Sequence, residues 1–415
     1  MLFCFIICVE NVFSSPLYSR QYTVSCSACH HAPPKLNVFG ERFKLTNSLP
    51  NWESNTSVDT GDLNTAVPKV FPISLRTQML GSVQRGHHIK DFSTGETSHN
   101  SNYDFKTPKF IKLISSSPLT NNISYYFDAR MYPGHNNGAF TVGESWMRYR
   151  VEEPWIIATL TAGQFPSSDI IADQDTRLTF KNYLIYLQSG LNTDRGIRAD
   201  IDFEQFFWSL GLTNGNNSEN DAVMNSAGIG RDDVLFDENN RKALYSYLAV
   251  RYQDYRLGLF WQVNQQYAAT GQLANQPSDQ ESYRYVTGFD IQAYPSSKVS
   301  WNFQFLWNQW QDFLVKGERI NWWGGYLSVD YAATTRTAYS LLYNFTSAGD
   351  FKDSGTIYEG LSTNVVTTTI SYYFRSNVRG VLEITMDFLP QENDADFVGH
   401  ESKEDMISIG IDLNY

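Results

Sequence analysis

Alternation of apolar and polar residues with a period of two, sustained from residue 70 to the C-terminus, is the feature that most constrains this fold. In the segment 123–131 every odd-numbered residue is apolar or aromatic, whereas the even-numbered residues include Asp128 and Arg130. The segment 379–388 repeats the pattern. This periodicity is typical of β-strands that have one apolar and one polar face. We therefore predict an all-β fold for most of the chain.

Turn residues divide the alternating region into sixteen candidate strands. The strands are predicted at 70–82, 108–115, 122–132, 140–151, 155–164, 194–203, 206–213, 242–252, 256–267, 282–293, 297–309, 320–332, 336–345, 365–374, 379–388 and 405–415. Long loops are predicted at 83–107, 133–139, 165–193, 214–241, 268–281, 310–319, 346–364 and 389–404, and the connections between them are short.

An even strand number, with long loops at one end and short turns at the other, is typical of a transmembrane barrel of the bacterial outer membrane. We therefore predict a barrel of about 16 antiparallel strands over residues 68–415. The long connection 165–193 contains a strand-like run, Leu178 to Leu187, and we expect it to fold into the lumen as a constriction loop. The final segment, ending at Tyr415, resembles the C-terminal signal that outer-membrane proteins present to their assembly machinery.

The composition agrees with a folded barrel and leaves one all-β alternative open. Aromatic residues make up 15% of the chain and charged residues 18%, which argues against disorder. The net charge is −12 without a dense basic run, which argues against nucleic acid as a partner. A soluble all-β protein with an aromatic-rich core is the alternative. Aromatic residues near predicted strand ends, where interface girdles belong, are Trp146, Trp155, Trp208, Trp301, Trp307, Trp322, Trp323, Tyr372 and Tyr373.

The N-terminus is the one strongly apolar stretch outside the barrel region. A short apolar core followed by Ser14 and Ser15 predicts a signal peptide over residues 1–15, although no basic residue precedes it. A buried first strand is the alternative. Cleavage would remove Cys4 and Cys8 and leave one cysteine pair in the mature chain.

That remaining pair lies in the sequence CSACH, residues 26–30, which has the spacing for covalent attachment of a c-type haem. Cys26 and Cys29 are placed to form thioethers with the two vinyl groups of one porphyrin, and His30 to ligate the iron. A disulfide is the alternative, and no second cysteine pair would complete a zinc site. The sixth ligand is not predicted by the sequence, and its candidates are His87, His88, His99, His135, His400 and Met79. His31 is an unsuitable sixth ligand because its neighbour already occupies the proximal side.

Residues 16–44 resemble the signature of the fused cytochrome-porins. The matching positions are Pro16, Arg20, Gln21, Cys26, Cys29, His30, Pro34, Leu36, Gly40, Arg42, Phe43 and Lys44, whereas Tyr22 and Thr23 depart from it. The resemblance implies one c-type haem in front of a barrel of about sixteen strands. Some members of that family resemble iron oxidases, which pass electrons from extracellular Fe(II) to periplasmic carriers.

These inferences give a division into a signal peptide (1–15), a monohaem plug segment (16–67) and an outer-membrane barrel (68–415). The expected function is electron transfer between an extracellular donor, with Fe(II) as the candidate, and a periplasmic carrier such as a soluble cytochrome. The alternative is a general diffusion porin with a structural or vestigial haem segment. No nucleophile–base constellation indicates a catalytic site.

Two acidic loops and a set of lumen charges could attract a cationic donor, and the simpler alternative is that they only provide solvation. The loop residues are Glu219, Asp221, Asp232, Asp233, Asp237, Glu238, Glu392, Asp394, Asp396, His400, Glu401 and Glu404. The lumen residues are Asp128, Arg130, Glu144, Arg148 and Arg150.

Overall fold

The structure of the protein is a computed structural model. It describes residues 17–22, 24–45, 57–58, 67–68, 71–90, 97–120, 122–133, 140–191, 193–203, 205–215, 242–269, 277–351, 361–389 and 405–415. The predicted signal peptide and both acidic loops lie outside these residues, apart from the ends of the loops.

Sixteen antiparallel strands close into a single barrel, as the alternation and the loop lengths predict. Each strand pairs with its neighbours in the chain, and the last strand returns to the first, with Asn414 opposite Arg76 and Asp405 opposite Arg85. The barrel strands are β5 (Ile73–Lys90), β6 (Thr97–Pro118), β7 (Ile123–Met131), β8 (Phe140–Glu153), β9 (Ile156–Pro166), β10 (Thr193–Phe203), β11 (Phe206–Thr213), β12 (Ala243–Tyr252), β13 (Tyr255–Ala269), β14 (Pro277–Ser296), β15 (Val299–Gln311), β16 (Arg319–Ala332), β17 (Thr337–Ser347), β18 (Thr363–Arg375), β19 (Val378–Asp387) and β20 (Asp405–Asn414).

The two faces of the wall follow the predicted alternation. Along β15 every second residue is buried, and the residues between them are partly exposed. Outward residues of β20 are apolar and exposed, Ile409 at 68%, whereas its inward Ser408 is fully buried. An apolar outer face with polar residues facing inward is the arrangement of a barrel that meets lipid on its outside.

Two strands extend well beyond their predicted ends. The sequence predicts a loop over 83–107, but β5 continues to Lys90 and β6 begins at Thr97, so this prediction is wrong for most of the segment. Few apolar residues occur there, and the alternation signal is therefore absent. Backbone pairing of antiparallel strands does not need it, because the ladder is made by N–H and C=O groups.

Three of the aromatic residues assigned to the girdles lie on the other side of the wall. Trp146, Trp322 and Tyr373 face the lumen and are at most 8% exposed. Trp155 and Tyr372 do lie outside, at 69% and 44% exposure. The alternation of side chains along a strand, rather than position near a strand end, decides which side an aromatic residue takes.

The N-terminal segment, residues 17–45, folds into short elements. They are α1 (Leu17–Tyr22), α2 (Cys26–Cys29), β1 (His30–Ala32), β2 (Lys35–Leu36) and α3 (Val38–Leu45), and the two-residue strands β3 (Ser57–Val58) and β4 (Val67–Pro68) pair further along. No helix in the described residues is both long enough and apolar enough to cross a membrane.

The connection between β9 and β10 is the constriction loop that the sequence predicts. Its described residues, 167–191, are here called the lumen segment. They form 3-10 turns at Ser167–Ile170 and Gln174–Thr176, and the helix α4 (Leu184–Gln188). Ile185, Tyr186 and Leu191 are completely buried inside the barrel. The prediction that this connection enters the lumen is therefore confirmed.

Candidate functional site

The three residues proposed for haem attachment lie on one turn of backbone. Cys26 and Cys29 begin and end α2, and His30 follows directly as the first residue of β1. The two cysteines are not bonded to each other, and both are partly exposed. The His30 Nδ1 atom lies 3.0 Å from the carbonyl oxygen of Pro34. A bond from an Nδ1–H group to a backbone carbonyl leaves the Nε2 lone pair available for a metal.

The ionisation of these groups follows from their burial. Desolvation by burial lowers the pKa of the His30 imidazole, so the ring is neutral at neutral pH, the form that ligates iron. Burial also raises the pKa of the Cys26 and Cys29 thiols. The thiols are therefore protonated at neutral pH and are not activated nucleophiles of the kind found in cysteine enzymes.

Asn37, directly before α3, and Gly40 within α3 hold this turn in place. Asn37 donates its backbone N–H to the carbonyl of Cys29 at 2.9 Å and its side-chain amide to the carbonyl of Ala28 at 3.0 Å. Its own side-chain oxygen accepts the N–H of Gly40 at 2.9 Å. A Cβ atom on Gly40 would lie 2.1 Å from the Cys29 carbonyl oxygen. Only glycine permits this approach of the two backbones.

The surroundings of the turn fit a flat apolar group. Val38 and Phe39, the first residues of α3, are 52% and 42% exposed, although they follow Asn37, which contacts the attachment turn. Exposed apolar side chains beside two accessible thiols and a fixed imidazole form a suitable surface for a porphyrin. The residues present are therefore consistent with a covalent haem.

The N-terminal segment lies across the end of the barrel where the short turns are. Lys44 pairs with Asp169 and Asp173 of the lumen segment, with its Nζ atom 2.7 Å from each carboxylate. Lys35 pairs with Asp330 at 3.6 Å, and the Tyr373 hydroxyl donates to the Pro33 carbonyl at 2.6 Å. The barrel residues that contact this segment lie on strands around the wall, and include Ser116, Asp202, Arg256, Asp330 and Tyr373.

The lumen segment fills the middle of the barrel. The Glu383 carboxylate accepts the backbone N–H groups of Phe180 at 2.6 Å and Lys181 at 3.1 Å. Tyr183 stacks on Tyr326 of the wall, with ring centroids 4.0 Å apart and planes 3° from parallel. Lumen-facing residues along the described strands are accordingly buried at nearly every position. Side chains, rather than a wide aqueous channel, occupy the described part of the lumen.

The predicted lumen charges do face inward, and Asp128, Arg130 and Glu144 lie in one cluster of charged side chains. Oxygens of Asp128, Glu144 and Asp175 lie within 4.8 Å of one another, the spacing of a metal site. Lys112 Nζ lies 2.9 Å from Asp128 and also contacts Asp175, and Arg130 Nε lies 3.0 Å from Asp128. These cations pair with Asp128 and Asp175, and Glu144 accepts a hydrogen bond from the Trp146 indole at 3.2 Å, so we interpret the group as a structural network. Lys112 and Asp175 were not singled out from the sequence, because lone charges in a strand and a loop carry no signal of pairing.

One candidate for the sixth haem ligand is wrong, and the others remain predictions. Met79 faces outward, 37% exposed on the lipid side of β5, and cannot reach the N-terminal segment. The side chains of the candidate histidines, as well as the acidic loop residues proposed to attract Fe(II), lie outside the described residues. His31 contacts the Ser297 carbonyl at 2.9 Å and stacks on Tyr294, which agrees with its dismissal as a ligand.

Comparisons with known proteins identify the fold. No protein-family model matches the chain, and no curated protein matches it either. Among solved structures, the chain resembles OmpF of Salmonella typhi in complex with daunomycin (8% identity, TM-score 0.53, covering 85% of this chain and 98% of that one). It also resembles the outer membrane channel DcaP of Acinetobacter baumannii (11%, 0.51, 83% and 97%) and an anion-selective porin from Comamonas acidovorans (10%, 0.50, 83% and 100%).

At these identities the likeness concerns the fold. The chain is a closed 16-stranded antiparallel barrel of the architecture found in outer-membrane porins.

Proposed function

We propose that this protein is an electron-transfer protein of the bacterial outer membrane, with one c-type haem held by its N-terminal segment. The observation that carries the proposal is the attachment turn, where two unbonded thiols flank an imidazole whose Nδ1 atom is held by the Pro34 carbonyl. Cys26 and Cys29 would hold the group covalently, and His30 would ligate its iron. When bound, such a group exchanges single electrons.

The chain's own residues position the group and exclude solvent. The Asn37 hydrogen bonds fix the backbone of the turn, and the close approach of Gly40 sets its distance from α3. The ion pairs of Lys35 and Lys44 anchor the segment to the wall and to the lumen segment. The anchored segment would then exclude solutes from the lumen, and electrons would be transferred instead.

The partners proposed for this reading are a periplasmic carrier, such as a soluble cytochrome, and an extracellular reductant, with Fe(II) as the candidate. The segment lies at the short-turn end, which faces the periplasm in outer-membrane barrels. A soluble carrier could therefore approach it directly. The donor side depends on loops outside the described residues, and its chemistry rests on the sequence alone.

The second candidate is a general diffusion porin whose N-terminal motif is structural. The comparisons favour this candidate, because the three solved structures are described as a channel, a porin and OmpF. The filled lumen favours the first candidate, since diffusion of solutes needs an open aqueous path. The two readings make opposite predictions for conductance and for haem content.

The deciding experiment is haem staining and a pyridine haemochrome assay on the purified outer-membrane protein, with Cys26→Ser and His31→Ala as test and control variants. We expect one haem per chain in the wild type and in His31→Ala, and loss of covalent haem in Cys26→Ser. Parallel planar-bilayer recordings should show little steady conductance. A colourless wild-type protein that conducts small ions continuously would establish the diffusion porin instead.

A further inference from the structure

The outer wall carries an apolar groove that the electron-transfer and diffusion readings both leave unused. It has a volume of about 540 Å³ and crosses strands β5, β6, β18, β19 and β20 on the lipid side. Its floor is formed by Met79, Leu382, Ile409 and Ile411. This volume lies within the range of about 300–1,000 Å³ that is usual for small-molecule sites.

Two outward glycines create the depression, and an aromatic ring stands beside each. A Cβ atom on Gly380 would lie 3.0 Å from the Phe374 ring, and one on Gly81 would lie 3.5 Å from the Phe105 ring. Phe374 is 58% exposed and lines the groove, whereas Phe105, at 84% exposure, lies beside Gly81 without lining it. The result is a trough with an aliphatic floor and with the rings of Tyr372 and Phe374 on its β18 side.

A β-bulge places a positive charge at one end of the trough. Tyr373 pairs with Arg379 and Arg375 pairs with Val378, so that Phe374 is the extra residue of the bulge. Tyr373 and Arg379 face the lumen, and Val378 therefore faces outward. Paired residues share a face of the sheet, and Arg375 consequently lies on the outer face directly after the wall residue Phe374.

The position of Arg375 along the membrane normal suits contact with an anionic lipid head group. Arg375 precedes the short turn between β18 and β19, at the periplasmic end of the barrel. Its guanidinium is exposed and has no ion-pair partner among the described residues. The outward residues at the same level on β20 and β5, Leu413 and Thr77, are uncharged. On the β17 side, the carbonyl of the exposed Arg336 accepts the Tyr373 N–H, so a second cation lies at this end of the barrel. Basic residues at membrane surfaces attract anionic lipid head groups.

We propose that this groove binds one acyl chain of an anionic glycerophospholipid from the periplasmic leaflet, with the lipid phosphate beside Arg375. The occupant has an apolar tail that matches the floor and a negative group that matches the exposed Arg375 guanidinium at head-group depth. A second copy of the chain would match the floor but would leave Arg375 without an anionic partner. The proposal requires only a membrane-spanning barrel and is independent of the haem.

The test is native mass spectrometry of the full-length protein in mild detergent, titrated with phosphatidylglycerol or with phosphatidylcholine. We expect one phosphatidylglycerol bound per chain. Arg375→Gln should weaken its binding about five-fold, the factor that corresponds to about 1 kcal/mol for one basic residue at an anionic surface. Phosphatidylcholine carries the same phosphate next to a positive choline group, so its binding should weaken less than that of phosphatidylglycerol. Ile409→Trp fills the floor and should weaken the binding of both lipids.

Matched controls keep the same chemistry away from the groove. Lys298→Gln removes an exposed lysine of the turn between β14 and β15, and Ile384→Trp enlarges an outward residue of β19 that does not line the groove. Neither should alter lipid binding, and heat-modifiable migration on gels should show that all four variants are folded barrels. Equal phosphatidylglycerol binding by Arg375→Gln and the wild type would overturn the proposal. A wild-type oligomer that Ile409→Trp converts to monomer would overturn it as well, by assigning the groove to a second copy.

Discussion

Removal of the Lys44 ammonium tests whether the N-terminal segment closes the barrel. Lys44 lies 2.7 Å from the carboxylates of both Asp169 and Asp173, and it is the direct ionic link between α3 and the lumen segment. Breaking a fully buried ion pair by removing one partner costs about 3–5 kcal/mol. The Lys44 side chain is 35% exposed, so solvent screening reduces this value to about 2 kcal/mol. Lys44→Met should therefore increase the undocked population about 30-fold.

The assay is single-channel recording in planar bilayers at pH 7, where Lys44→Met should open transiently far more often than the wild type. Lys298→Met, which removes an exposed lysine from a short turn at the same end, is the control and should behave like the wild type.

Acidification provides a second readout of the same contact. Burial already raises the pKa of Asp169, although Lys44 acts to lower it. Without Lys44, burial alone acts on Asp169, and the docked state of the variant therefore favours the protonated carboxyl. Docking of the variant should be weak at neutral pH and should recover as the pH falls through the raised pKa of Asp169. Identical opening frequencies for Lys44→Met and the wild type at every pH would refute the closing role of this contact.

Three further substitutions probe the attachment turn, the lumen segment and the wall. Gly40→Ala places a Cβ atom 2.1 Å from the Cys29 carbonyl oxygen and should sharply reduce the haem content measured by pyridine haemochrome, whereas normal content would contradict the proposed role of this approach. Glu383→Ala leaves two buried N–H groups without their acceptor, at about 1–3 kcal/mol each, and should expose the lumen segment to trypsin; resistance equal to the wild type would refute this. Leu259→Arg, at an outward position within β13, should lower the free energy of unfolding measured by refolding into vesicles by about 2–4 kcal/mol. Tyr255→Arg, at the end of the same strand, should lower it by only about 0–1 kcal/mol. Equal costs for the two variants would contradict the membrane placement.

The barrel could be predicted from the sequence because its signal, the alternation of apolar and polar residues, is local. A strand in a barrel wall meets lipid on one side and the lumen on the other, so residues such as Ile409 and Ser408 report their faces without knowledge of any partner. The strand number and the closed fold follow from that signal together with the turns. The attachment turn is likewise local, since Cys26, Cys29 and His30 lie within one stretch of five residues.

Contacts between distant parts of the chain were decided by the tertiary structure. Lys44 meets Asp169 across 125 residues, and Phe180 donates to Glu383 across 203. Strand register likewise decides that Trp322 lies inside the barrel. It also brings Gly81 and Gly380 to the same part of the outer wall, where they form the groove. A charge or a glycine in a strand carries no mark of its partner. Barrel closure alone brings such residues together, because it fixes which strands are neighbours and which side chains share a level.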